Sequence, residues 1–189
     1  VADLVALADD ERVVTLVGPG GIGKTRLLIE VGHRLAAAPG HQPIVWCDLS
    51  RTDRSGVDDV ITGSLRIDAR PGVSMTERIV GLIGESPVVL LLDNCEHVLD
   101  PIAEFVARAV AGCPRLGVIA TSRERLRVPG EQVRSVPPLP VSRASPAVEL
   151  FIERARAAGE LELDDDTQAA IEEIVARLDG LPLAIELAA

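Results

Sequence analysis

A short aliphatic segment, Val13–Val17, runs directly into a glycine-rich stretch, and a segment of helical periodicity begins immediately afterwards. The glycine-rich stretch, residues 18–25, reads GPGGIGKT and fits the pattern GxxxxGK(S/T). A strand, then this pattern, then a helix is the context in which such a stretch cradles phosphate groups. Because that arrangement belongs to parallel sheets with helical crossovers, it restricts the chain to an α/β fold more strongly than any other feature of the sequence.

Each residue type in this loop suits contact with a phosphate. Glycines let the backbone curl so that successive N–H groups face an anion, and the next helix adds the positive end of its dipole. We expect Lys24 to face solvent without phosphate and to reach the β- and γ-phosphates of a bound nucleotide, while the Thr25 hydroxyl binds Mg²⁺. The predicted nucleotide contacts are Gly18, Pro19, Gly20, Gly21, Ile22, Gly23, Lys24, Thr25 and Arg26.

The alternative for this loop is a glycine-rich turn beside a solvated lysine. Lys24 is, however, the one lysine in a chain that otherwise uses arginine as its basic residue. A compact ammonium fits between phosphates where a guanidinium fork does not, so its retention here favours a phosphate-binding role.

An acidic residue follows a second aliphatic segment. Asp93 comes directly after residues 88–92, where a phosphate-binding fold needs a carboxylate to hold Mg²⁺ through water. The alternative role, a cap for the following helix, is weakened because we expect Asp100 to cap that helix. Asn94 and Glu96 lie next to Asp93, and either could position the water that attacks the terminal phosphate. The sequence therefore predicts a Mg²⁺ site formed by Thr25 and Asp93.

A third aliphatic segment, residues 116–120, ends in Thr121, Ser122 and Arg123. Ligands of parallel sheets gather outside the carboxyl ends of the strands, so Arg123 would lie beside Asp93 if the two strands are neighbours. The alternative is a solvated arginine in a basic stretch. The candidate catalytic residues are thus Lys24, Asp93, Asn94, Glu96 and Arg123.

The chain as a whole alternates short β-branched segments with longer segments of helical period, which is typical of a parallel sheet covered by helices. The predicted strands are residues 13–17, 44–47, 88–92, 116–120 and 132–136. The predicted helices are residues 24–38, 58–65, 75–84, 101–111, 144–158 and 167–178. Residues 137–140, PPLP, interrupt both patterns and are predicted to be a linker.

Composition excludes several classes of partner. The 29 acidic residues against 19 basic ones leave a formal charge of −10, which repels nucleic acid and anionic membrane surfaces. No aliphatic run approaches the roughly 20 residues needed to span a bilayer. Three cysteines in apolar surroundings predict a reducing, cytoplasmic location, and the spacing of Cys95 and His97 fits no zinc pattern. We expect neither direct nucleic-acid binding nor membrane binding by this chain.

Four segments in this order, GPGGIGKTRL, VVLLLDNCEH, ATSRERLRVPGE and LDGLPLAIELAA, resemble the STAND/NB-ARC class of P-loop ATPases. They are most similar to the ATPase module of bacterial SARP-type and LuxR-type transcriptional regulators. The resemblance implies a P-loop NTPase domain over residues 1–140, with a five-stranded parallel sheet in the order 2-3-4-1-5. It implies that residues 141–189 are the start of a helical, ARC1-like subdomain that carries the GLPL motif.

The same resemblance implies roles for individual residues. Arg123 would sense the γ-phosphate, and Pro182 of the GLPL motif would cover the adenine. A helix break made by glycine and proline is the alternative for that motif. The family's Gly-Arg-Glu segment and its winged-helix region are absent from this sequence, so we expect a fragment of a longer regulator.

These features together predict a switch domain that binds ATP or ADP with Mg²⁺ and hydrolyses ATP slowly. Its expected partners are the nucleotide, the other domains of a parent transcriptional regulator, and further copies of that regulator in a nucleotide-dependent assembly. One alternative is a P-loop ATPase whose hydrolysis is itself the output, which rapid turnover would favour. The other is a non-hydrolysing module that only retains ADP.

Overall fold

A computed structural model describes residues 1–40, 42–67, 72–159 and 162–189 of the chain. By their internal contacts, these residues form two compact units. The first unit contains Val1–Gly18 and Lys24–Ser135, and the second contains Pro19–Gly23 and Val136–Ala189. The predicted division into domains at residue 140 stays a prediction.

The first unit is a parallel sheet with helices packed against it. Its strands are β1 (Val13–Val17), β2 (Ile44–Asp48), β3 (Val88–Asp93), β4 (Leu116–Ser122) and β5 (Glu131–Ser135). Its helices are α1 (Ala2–Asp10), α2 (Lys24–Ala37), α3 (Val57–Ser64), α4 (Met75–Ile83) and α5 (Leu99–Gly112). A single 3₁₀ turn, Cys95–His97, lies between β3 and α5.

The strand order is β2-β3-β4-β1-β5, and every pairing is parallel. This confirms the predicted α/β fold and the order implied by the family resemblance. All six residues of β3 are buried, because this strand has a neighbour on each side and packing on both faces. The order places the carboxyl end of β3 next to that of β4, and that of β4 next to that of β1.

A mainly aliphatic core helps to hold the described part of the first unit together. It joins β3 and β4 to α3, α4 and α5 through fully buried residues that include Ile61, Ile79, Leu90 and Ile102. Burial of such side chains stabilises the fold by about 1.5–3 kcal/mol each. This core therefore packs the sheet against these three helices.

The start of α5 differs from the prediction. The helix begins at Leu99 after an N-cap at Val98, so Asp100 is not its cap. The helix begins two residues before its predicted start because a 3₁₀ turn precedes it, in which the Val98 N–H donates to the Cys95 carbonyl. Asp100 lies in the first turn, where its charge meets the helix dipole, and it pairs with Arg54.

The second unit contains three helices among the residues described here: α6 (Pro146–Ala158), α7 (Asp165–Arg177) and α8 (Pro182–Ala188). They share a small core of Val148, Phe151, Ile171, Val175 and Ile185. The Asp164 carboxylate caps α7 by accepting a hydrogen bond from Thr167 N at 2.7 Å, and this bonding lowers the pKa of Asp164. Within the described residues, no helix combines the length and the apolar character that a bilayer crossing needs.

Candidate phosphate-binding site at the strand ends

The glycine-rich loop joins β1 to α2, as its pattern predicts. Gly21 and Gly23 have φ values of 76° and 95°, a left-handed backbone that residues with a side chain rarely adopt. At Gly21 a second constraint applies, because an added Cβ would lie 2.7 Å from the Cβ of Leu183. These glycines are thus required by backbone geometry and, for Gly21, by close packing.

Lys24 is the first residue of α2, and its side chain is buried at 7% exposure. Its Nζ donates a hydrogen bond to the Gly18 carbonyl at 2.9 Å. The expectation that Lys24 faces solvent is therefore wrong. The reason is local: the loop curls back so that a backbone carbonyl solvates the ammonium, which a sequence pattern does not reveal. Arg26, by contrast, is exposed on the first turn of α2.

Asp93, the last residue of β3, is 2% exposed, and its carboxylate accepts three hydrogen bonds. Its Oδ1 accepts from Thr25 Oγ1 at 3.0 Å and from Thr121 Oγ1 at 2.5 Å, and its Oδ2 accepts from Asn94 Nδ2 at 3.2 Å. A buried charge needs such partners, because burial without them carries a large desolvation cost. The network ties the end of β3 to α2 and β4.

Asn94 adopts a left-handed conformation with φ 61°, which asparagine tolerates better than most residues. Its backbone N–H donates to Thr121 Oγ1 at 2.9 Å. Its side-chain amide is directed to Asp93, so this donor already has a protein partner. Cys95 follows and is fully buried; desolvation and the nearby Asp93 and Glu96 charges raise its pKa, so the thiol stays protonated.

Glu96 and Arg123 form an ion pair, with Glu96 Oε1 3.3 Å from Arg123 Nε. Arg123 is 68% exposed and Glu96 is 22% exposed. Both line an open cavity of about 530 Å³ at the carboxyl ends of the strands. The residues around it are Ser50, Asn94, Glu96, His97, Arg123 and Glu124. The structure therefore brings three predicted site residues, Asn94, Glu96 and Arg123, to one opening.

Three residues of this region make contacts that the sequence does not predict. Thr121 joins Asp93 to the Asn94 backbone, and the polar residues directly after an aliphatic strand are a signal for such a role. Glu131 accepts hydrogen bonds from two backbone N–H groups of the loop after Arg123, at 2.7 and 2.8 Å. His97 donates from Nε2 to the Leu49 carbonyl at 2.7 Å. Nothing in the local sequence around Glu131 or His97 reveals these contacts.

The GLPL segment lies in the second unit. Gly180 has φ 65°, and a Cβ added there would lie 2.1 Å from the Leu139 carbonyl oxygen. Pro182 begins α8, and Leu183 N donates to the Gly21 carbonyl at 3.1 Å. A Cβ on Gly23 would be 3.9 Å from Pro182 Cγ, an ordinary contact. Pro182 is thus close to the glycine loop within this unit; its predicted contact with adenine stays a prediction.

A comparison with families of known proteins finds no match. Among curated proteins, an uncharacterized protein of Mycobacterium tuberculosis is 41% identical over 190 residues, which cover 99% of this chain and 47% of that protein. A second protein of the same species, named as a candidate HTH-type transcriptional regulator, is 38% identical over 97% of this chain and 20% of its own length. The chain therefore spans about half, or less, of the curated relatives it matches.

Solved structures share the fold at low sequence identity. Cdc6p from Pyrobaculum aerophilum aligns over 99% of this chain and 58% of its own, with TM-score 0.68 and 18% identity. C. elegans PCH-2 aligns over 98% and 58%, with TM-score 0.59 and 16% identity. A Signal Transduction ATPase with Numerous Domains from Pyrococcus horikoshii aligns over 98% and 28%, with TM-score 0.55 and 16% identity. This chain has the P-loop NTPase fold.

Proposed function

We propose that this chain is a nucleotide-binding switch domain that takes ATP or ADP together with Mg²⁺ and hydrolyses ATP slowly. The observation that carries the proposal is the meeting of Lys24, Thr25 and Asp93 at the start of α2. Thr25 and Asp93 are 68 residues apart in sequence, yet Thr25 Oγ1 and Asp93 Oδ1 lie 3.0 Å apart. A loop lysine beside such a pair is the arrangement that phosphate transfer uses.

The loop and Lys24 supply the groups that recognise a polyphosphate. Lys24 Nζ is held against the Gly18 carbonyl, so its charge is kept at the loop and not released into solvent. A phosphate oxygen carries negative charge, so it attracts the ammonium more strongly than a neutral carbonyl does. We therefore expect Lys24 to exchange its carbonyl partner for phosphate oxygens.

The residues near Asp93 fit Mg²⁺. This cation prefers hard oxygen ligands and keeps several of its waters, and the Thr25 hydroxyl and the Asp93 carboxylate are such groups. The bound cation would neutralise charge on the phosphates. Thr25 Oγ1 and Asp93 Oδ1 lie 3.0 Å apart, a spacing at which one cation with its waters can contact both oxygens.

Slow hydrolysis is supported by the contacts of the two residues that are candidates to position the attacking water, Asn94 and Glu96. Asn94 has no carboxylate, and its amide is bonded to Asp93 at 3.2 Å. Glu96 has a carboxylate, but it is paired with Arg123. A general base must reach the water whose proton it takes, so Glu96 would first have to leave its partner. The same contacts favour the second candidate, a module that retains nucleotide without hydrolysing it.

The place of this domain in a larger protein is supported by the curated relatives. One of them carries the words HTH-type transcriptional regulator in its name, and this chain matches a fifth of its length. The family resemblance and this relative together support a nucleotide switch within a cytoplasmic bacterial transcriptional regulator. Other domains of that parent would contact DNA, since a net charge of −10 disfavours it here. Self-association of the parent would depend on the bound nucleotide.

Binding of ATP and ADP by isothermal titration calorimetry with Mg²⁺ tests the proposal. We expect Lys24→Ala to abolish binding of both nucleotides while the chain remains folded, as circular dichroism would show. Arg34→Ala is the matched control, because Arg34 is a cation on the same helix, exposed and paired with Glu30. An affinity of Lys24→Ala for ADP within tenfold of the wild type, or 1.4 kcal/mol, would refute the phosphate site.

A further inference from the structure

Glu96 is held mainly by one exposed cation. Its Oε1 lies 3.3 Å from Arg123 Nε. Its Oε2 is buried and has no hydrogen-bond partner among the residues that the structure describes. A buried carboxylate oxygen without a donor is costly, so the Arg123 contact compensates for part of that cost. Arg123 is therefore engaged by a carboxylate in this structure.

The contact is weak enough to be exchanged. Arg123 is 68% exposed, and an ion pair open to solvent contributes little to stability. Its guanidinium lies on the cavity that also exposes Asn94, the residue after Asp93. A terminal phosphate held near Asp93 would carry more charge than the Glu96 carboxylate and would accept hydrogen bonds from the planar donor fork of arginine.

We propose that Glu96 is a specificity-determining residue, which holds Arg123 until a terminal γ-phosphate displaces it. This inference rests on the proposed function. A triphosphate must break the Glu96–Arg123 contact to gain Arg123, whereas a diphosphate leaves the contact in place. Glu96 thus lowers the affinity for ATP and leaves the affinity for ADP unchanged. The preference of the chain for ATP over ADP is therefore smaller than it would be if Arg123 had no carboxylate partner.

Glu124 supplies a matched control on the same opening. It lies next to Arg123 in sequence and lines the same cavity, but its carboxylate pairs with Arg127 at 3.1 Å. Its side chain is 55% exposed. Glu124→Gln removes the same charge from the same rim without releasing Arg123. A difference in nucleotide affinity between Glu96→Gln and Glu124→Gln therefore reports the contact with Arg123. It does not report the loss of one negative charge near the site, which both variants share.

The test is calorimetric binding of Mg²⁺ with ADP or a non-hydrolysable ATP analogue. We expect Glu96→Gln to tighten binding of the analogue about two- to fivefold, the range for an exposed ion pair, with ADP unchanged. Glu124→Gln should change neither. In an Arg123→Gln background, the effect of Glu96→Gln should fall to that of Glu124→Gln, because no guanidinium remains to be released.

Three outcomes would overturn the inference while leaving nucleotide binding established. Equal tightening of the analogue and of ADP would indicate a general charge effect. An effect of Glu124→Gln as large as that of Glu96→Gln would do the same. Persistence of the Glu96→Gln effect in the Arg123→Gln background would show that the two residues do not act together. A wild-type chain that binds neither nucleotide would instead refute the proposed function, and this inference with it.

Discussion

Thr121 and Thr15 are fully buried threonines on the neighbouring strands β4 and β1, and their hydroxyl groups differ in bonding. Thr121 Oγ1 donates to Asp93 Oδ1 and accepts from Asn94 N. Thr15 Oγ1 has no hydrogen-bond partner within the described part of the chain. Valine matches the shape of threonine, so replacing each residue in turn isolates what its hydroxyl contributes.

Thr121→Val removes one donor from a buried carboxylate and leaves the Asn94 N–H without an acceptor. A hydrogen bond to a charged group contributes about 1.5–3 kcal/mol, and an unsatisfied buried donor costs about 1–3 kcal/mol. Thr25 and Asn94 still donate to Asp93, so we expect the free energy of unfolding to fall by about 2–4 kcal/mol. Thr15→Val removes an unpaired hydroxyl and should raise it by about 1 kcal/mol.

Equilibrium unfolding in urea at neutral pH measures both changes. The slope should stay constant across the variants, since neither substitution alters the surface exposed on unfolding. Thr121→Ser keeps the hydroxyl and should recover most of the stability that Thr121→Val loses. A Thr121→Val variant as stable as the wild type, or a Thr15→Val variant as destabilised as Thr121→Val, would refute the reasoning.

Three further variants have defined outcomes. Asn94→Asp replaces a donor to Asp93 by a second carboxylate; the repulsion raises a carboxyl pKa in the folded state, so urea midpoints should fall at pH 7 and recover at acidic pH. A variant equally stable at both pH values would contradict this. Glu131→Gln keeps only one acceptor for two backbone N–H groups and should cost about 1–3 kcal/mol, whereas a neutral result would show that the loop is held otherwise. Gly180→Ala drives a Cβ to 2.1 Å from the Leu139 oxygen, so faster amide exchange in α7 and α8 is expected, and unchanged exchange would count against this packing.

Much of the fold could be predicted from the sequence because the signals are local. The five predicted strands all exist, and their ends shift by no more than two residues. A strand that is buried on both faces needs an unbroken run of aliphatic residues, and the sequence of β3 contains such a run. The helix α1 (Ala2–Asp10) was missed, because its short segment carries no capping side chain to mark its start. The strand order followed from a resemblance, and spacing alone would not have supplied it.

The candidate site divides in the same way. The sequence alone predicts which residue types follow each strand: the glycine loop with Lys24 and Thr25, then Asp93, then Arg123. These patterns can be recognised in the sequence because backbone curvature and strand burial restrict the residue types at each position. They do not say which side chains meet.

The partners of these side chains depend on the folded chain, because a hydrogen bond between distant residues requires a particular strand order and register. The fold joins Asp93 to Thr25 across 68 residues and to Thr121 across 28. In the folded chain Lys24 donates to the Gly18 carbonyl, and Glu96 forms an ion pair with Arg123. The contacts of Asp93 and the Glu96–Arg123 pair follow from the β3–β4 and β4–β1 pairings, which bring three chain segments to one end of the sheet. The Lys24 contact is instead local to the loop.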